Sequence, residues 1–216
     1  MLTLFDELFT LSIHEAKGTL IGSIAEQIKP ALAGAILAEL TLLGKIQISN
    51  NHRLQLVDDS PVNDDILDAA VGVLKQAEKE RKFGYWISAL SQQAEKTRKQ
   101  IIKRLLQKGV VTQDEERLVW VIPSPLHAEV KASTKYLIIK RLRGMVLAQE
   151  DIQQRDIILL SLIRACGLLD RVFLDDERKV ASRSINEMVF GQAIHDPIIQ
   201  TIQEIETALA AALEED

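Results

Sequence analysis

The stretch PALAGAILAELTLLGKIQI, residues 30–48, decides the fold. From Pro30 to Gly44 it is apolar nearly all round, and a helix with no polar face is one buried in the middle of a domain. Pro30 suits a first helical turn, where its missing N–H costs nothing, and Gly44 suits the stop. The period then changes. Ile46 and Ile48 alternate with Lys45 and Gln47, and Leu54 and Leu56 alternate with Arg53 and Gln55. With Ser49-Asn50-Asn51 between them, these two runs read as a β-hairpin.

Upstream, residues 2–13 place Phe5, Leu8 and Phe9 on one helical face, and Lys17-Gly18 reads as a turn. Downstream, Asp64 can cap a helix that carries Ile66, Leu67, Ala70, Val73 and Leu74. Residues 78–84 read as a solvated connection and Tyr85 to Leu90 as a short helix. Residues 95–108 form an amphipathic helix with Ile101, Ile102, Leu105 and Leu106 inside and its basic residues outside, stopping at Gly109. Val110-Val111 and Leu118 to Ile122, with a charged turn at Asp114-Glu115-Glu116, read as a second hairpin closed by Pro123 and Pro125. Helices are expected at about 126–149, 151–171, 176–189 and 197–213. The fold class is thus mainly α: one globular multi-helix domain over 1–216, built around a buried hydrophobic helix, with two short β-hairpins. Gly191 to Asp196 marks a boundary that would leave the last helix peripheral.

The bulk numbers agree. Hydrophobic residues make up 47% of the 216 and charged residues 26%, a globular balance. Only 4% are aromatic, so the core must be mostly aliphatic. The net charge of -5 disfavours wholesale nucleic-acid binding. The charge is uneven, however: Lys96, Arg98, Lys99, Lys103, Arg104 and Lys108 fall in one run, Lys131, Lys135, Lys140, Arg141 and Arg143 in another, and the tail is acidic. The single cysteine, Cys166, allows no intrachain disulfide and fits a reducing cytoplasm. No signal peptide is visible. The most apolar late stretch, Ile157 to Leu169, is broken by Ser161 and Arg164 and falls short of the roughly 20 residues of a membrane span, so any membrane contact must be peripheral.

In its order of elements the chain resembles the Golgi phosphoprotein 3 family. The likeness runs from about Leu2 to Val189. It rests on Leu2-Thr3-Leu4 with Asp6-Glu7-Leu8, on the buried helix and strand at 32–48, and on DDSPVNDDILDAAV at 58–71. Trp86-Ile87, RLLQKGVVT at 104–112 and QQRDIILLSLIRACGLLDRVF at 153–173 complete it. The resemblance implies a helical domain with β-hairpins and no enzymatic activity or cofactor. It also implies binding to phosphatidylinositol 4-phosphate on the cytoplasmic face of a membrane, with protein tails as cargo. In the family the headgroup pocket takes a Trp and an Arg from the loop before the buried helix, and two Arg three residues apart on the helix before the second hairpin. Here the Trp position falls near Ile21 or Gly22, the loop Arg at Ala33 and the first helical Arg at Glu95; only Arg98 matches. A bacterial-type relative, with the fold but not the headgroup code, explains this departure.

Within the basic helix, Arg98 flanked by Lys96 and Lys99 is the expected phosphate-facing group. The plainer reading is a solvated helix face, its cations favoured near the helix C-terminus. In the second hairpin Leu118 and Trp120 share one face, and Val119 and Val121 the other. An uncovered apolar face there would be a membrane or self-association surface; covered on both sides, it would be ordinary core. Metal binding is not expected, because His14, His52, His127 and His195 lack ligand spacing. Asp64-Asp65 and Asp175-Asp176 read as caps or solvated charges, and Cys166 as a small buried hydrophobe. A peripheral, non-enzymatic adaptor therefore leads. The alternative is a winged-helix interaction module, since a basic helix followed by a hairpin is wing-like.

Overall fold

The central helix ends where the chain must turn into a strand, and its last residues show how. In the computed structural model, which describes residues 1–14, 20–49, 51–113, 128–130, 132–150, 152–190 and 197–214, helix α2 spans Ile28–Leu42. Gly44 sits at φ 68°, a left-handed conformation that suits glycine. There its N–H bonds the carbonyl of Thr41 and the next N–H, from Lys45, bonds that of Leu40, each at 2.9 Å. This double closure satisfies carbonyls the helix leaves open and feeds the chain into strand β1, Ile46–Ile48. Ala31 to Thr41 are all buried.

Helix α1, Leu4–Ser12, has all nine residues buried, including Asp6 and Glu7. Thr3 and Asp6 cap it reciprocally, side chain to backbone in both directions. Strand β2, Arg53–Leu56, pairs antiparallel with β1 in the register Ile46 to Leu56 and Ile48 to Leu54. Asp64 caps helix α3, Asp65–Lys75, by accepting from the N–H groups of Ile66 and Leu67. The connection at 78–84 is not merely solvated. Arg81–Lys82 forms strand β3 on the free edge of β2, making a three-stranded sheet, and Phe83, fully buried, opens helix α4 at Phe83–Ser91. A two-residue strand is too short to leave a periodic signature, so the sequence showed only polarity.

Helix α5, Ala94–Gln107, buries Ala94, Ile101, Ile102 and Leu105. It closes on Gly109 (φ 62°) as α2 closes on Gly44, with Gly109 N–H to Leu106 and Val110 N–H to Leu105. Strand β4, Val111–Gln113, follows, and here the second expected hairpin is corrected. The partner of β4 is β5, Ala128–Val130, in the register Val111 to Val130, where a helix was expected to have begun. Residues 118–121 lie outside the described residues. The apolar run around Trp120 drew the strand assignment to itself, while Ala128-Glu129-Val130 carries too little pattern to compete.

Helices α6 (Ala132–Leu147), α7 (Gln154–Ala165), α8 (Arg178–Phe190) and α9 (Pro197–Glu214) complete the chain, with a 3-10 turn at Leu169–Arg171. The protein is mainly helical around one hydrophobic core. The last helix is not peripheral: α9 packs on α2, α4 and α7 and buries Ile199, Ile202, Ile205 and Leu209. Gly34 permits this close approach, since a Cβ there would lie 3.2 Å from Cγ2 of Ile205.

Lys45, which alternation had turned outward, is buried. Its ammonium donates to Asp58 Oδ2 at 2.6 Å and to the carbonyl and hydroxyl of Ser60. This latch holds the end of β2 to the start of β1. Lys45 and Ser60 together keep the Asp58 carboxyl at about 2, below its ordinary 3.8. A folded-state value below the unfolded one adds stability above pH ~4 that fades as pH falls toward ~2. In Asp58→Asn, the melting temperature is therefore expected to fall less between pH 4 and 2 than in the wild type, as thermal melts in that range would measure.

Candidate functional site

Helix α5 meets the body of the protein through α1 and α2, and its cations divide into two groups. The first group is structural. Arg104 donates to Asp64 Oδ1 at 2.8 Å, so the α3 cap is also a counter-ion, and its guanidinium lies 5.2 Å from the centre of the Phe5 ring. Lys108 donates to Asp6 Oδ2 and to the Met1 carbonyl, each at 3.2 Å. These two cations dock α5 against the N-terminal helix.

The second group faces outward. Lys96, Lys99 and Lys103 are exposed and have no ion pair or hydrogen bond among the described residues. Their spacing, i, i+3 and i+7, puts them on one stripe of the helix. Between the groups stands Arg98. It is half-buried and pairs with Glu95 one turn back, 2.9 Å between Nη2 and Oε2. The expected trio Arg98, Lys96 and Lys99 thus comes together on one helix, but its arginine is offset by a carboxylate. Glu95 lies three residues before Arg98, a helical spacing that is itself the sequence signal of this ion pair. Ala33 is buried inside α2 and offers no polar group, while Gly22 lies at the surface in a short 3-10 turn.

The other basic run, 131–143, is mostly consumed inside the fold. Lys135 is buried and donates to the Ile13 carbonyl. Arg141 grips Glu7 with two bonds and also reaches Asp156 at 3.1 Å, tying α6 to α1 and α7. Burial pushes the Glu7 carboxyl above its usual range, and the Arg141 guanidinium draws it part of the way back. Arg143 clasps Glu177 through two 2.6 Å bonds. Lys140 alone of the described cations in this run is exposed and unpaired.

Burial holds the Cys166 thiol at about 12, so it is inert at neutral pH. His52 pairs with Glu204 at 2.6 Å, and His14 lies beside α1; His127 and His195 lie outside the described residues. Among the described residues no cluster of His, Cys, Asp or Glu could hold a metal ion, and no helix is long and apolar enough to cross a membrane.

Comparison with known proteins adds a lineage to this geometry. The chain is similar to vacuolar protein sorting-associated protein 74 of Eremothecium gossypii, 26% identical over 166 residues, which cover 68% of this chain and 49% of that protein. It therefore spans about half the length of this curated relative. The family model described as Golgi phosphoprotein 3 matches residues 4–213, from the first residue of α1 into the last turn of α9. With a match that takes in both sheets, the buried helix and the basic helix, the chain belongs to the Golgi phosphoprotein 3 family.

Proposed function

We propose that this chain is a non-enzymatic, peripheral membrane-surface protein that binds anionic phospholipid headgroups through the outer face of α5 and acts as an adaptor for protein tails on the cytoplasmic face. The observation that carries the reading is the stripe of Lys96, Lys99 and Lys103, unpaired among the described residues while Arg104 and Lys108 are neutralised within the fold. A lysine near an anionic surface is worth about 1 kcal/mol, so three of them give reversible rather than permanent attachment. Family membership supports the adaptor role.

The recognition proposed is by bulk charge, with Arg98 as an auxiliary. Two positions that would shape a phosphoinositide pocket hold Ala33, which is buried, and Glu95, which occupies Arg98. That is the pattern of a bacterial-type relative. Releasing Arg98 should strengthen the attachment: Glu95→Gln is expected to bind anionic vesicles about fivefold more tightly, from roughly 1 kcal/mol per charge.

The test is co-sedimentation with phosphatidylglycerol-containing vesicles at low and high salt, with duplex DNA as a parallel arm. Binding that weakens as salt rises, with weaker or no DNA binding, supports the reading. Salt-sensitive DNA binding without vesicle binding would favour the wing-like alternative.

A further inference from the structure

One face of α6 is unusual for a surface helix. Tyr136 and Leu137 are each 62% exposed, and Lys140 follows one turn on. Leu174, 61% exposed, stands across a groove from them, just after the 3-10 turn at Leu169–Arg171. The groove is a cavity of about 380 Å³ lined by Tyr136, Lys140, Arg143, Arg171 and Leu174, among others. Arg143 in its lining is committed to Glu177 and to the Val172 carbonyl. Two cations at the rim are differently placed. Lys140 has no partner among the described residues, and Arg171 is held only loosely by Asp170, 3.6 Å away.

We propose that this groove is a second lipid contact, in which the phosphate of an anionic phospholipid lies against Lys140 and Arg171 while Tyr136, Leu137 and Leu174 sink into the interfacial layer. It rests on the reading of the chain as a peripheral membrane protein, and adds a depth to the attachment that lysines alone would not have. Charge complementarity selects this occupant. The approaching phosphate meets Lys140, unpaired among the described residues, and Arg171, whose ion pair with Asp170 of the same lining is a long 3.6 Å, while Glu177 is already spent on Arg143. A tyrosine and two leucines around such a pair match the amphipathic chemistry of the headgroup boundary, where the ring and aliphatic groups leave water and the cations stay at phosphate level.

The test uses the full chain carrying Leu174→Cys, labelled with an environment-sensitive fluorophore. Cys166 is 2% exposed, so the new thiol is labelled selectively. Val57→Cys, at an exposed position just after β2 and outside the groove lining, is the control. With phosphatidylglycerol-containing vesicles, the label at 174 should shift to the blue and be quenched by nitroxide-bearing lipid, and the label at 57 should not. Tyr136→Ser with Leu174→Ser should weaken vesicle binding roughly tenfold, from the lost apolar burial, with an unchanged melting temperature. An unresponsive label at 174 on a chain that still binds vesicles overturns this site and leaves the α5 reading standing. Absence of vesicle binding by the wild type overturns both. A label that responds to protein concentration without vesicles would assign the face to a second copy of the chain and also overturn the site.

Discussion

Arg155→Ala is expected to lower the melting temperature by roughly 6–20 °C. Arg155, on α7, reaches Glu39 in the buried α2 with bonds of 2.7 and 3.0 Å, and donates to the Leu2 carbonyl at 3.0 Å. Glu39 in turn accepts the Leu4 N–H at 2.7 Å, so one carboxylate serves the start of α1 and the guanidinium of α7. The Glu39 side chain is only 9% exposed. Removing the arginine leaves that charge buried and unpaired, which costs about 3–5 kcal/mol. For a chain of this size each kcal/mol moves the melting temperature by about 2–4 °C. Circular-dichroism melts of Arg155→Ala, of the single variants Glu39→Gln and Arg155→Met, and of those two combined would check it. The double variant should lose less than the sum of the singles, because no unpaired charge then remains.

The second large effect is functional. Lys96→Glu, Lys99→Glu and Lys103→Glu combined should abolish binding to anionic vesicles. Deleting three positive charges alone forfeits about 3 kcal/mol, or roughly 150-fold, and reversing them adds repulsion. The melting temperature should move by no more than about 6 °C, because surface substitutions that break no contact change stability by about 0.5 kcal/mol or less each. Vesicle affinity and a thermal melt on the same preparation separate the two effects. A large melting shift would show that the lysines are structural, contrary to their lack of partners among the described residues.

Local signals were legible in the sequence. The all-round apolar surface of α2, its glycine stop, the Asp64 cap and the inside face of α5 follow from composition and spacing within one or two turns. Signals carried by distant partners were not. Glu39 sits in the buried helix because Arg155 arrives 116 residues later, and Asp6 and Glu7 can be buried because Arg104, Lys108 and Arg141 come to meet them. The same long-range pairing decided the candidate site. Read as one cationic run, residues 96–108 contain three lysines that face outward without a partner among the described residues, two cations spent on α1 and α3, and Arg98 tied to Glu95. Strand β5 and the docking of α9 were missed for a related reason, since both depend on what the rest of the chain presents to them.

The most direct measurement is the affinity of the wild-type protein for vesicles in which phosphatidylglycerol progressively replaces phosphatidylcholine at fixed ionic strength. If unpaired lysines on α5 hold the protein at the membrane, affinity should be negligible on neutral vesicles and climb steeply with the anionic fraction. Equal binding to neutral and anionic vesicles, or none to either, would contradict it.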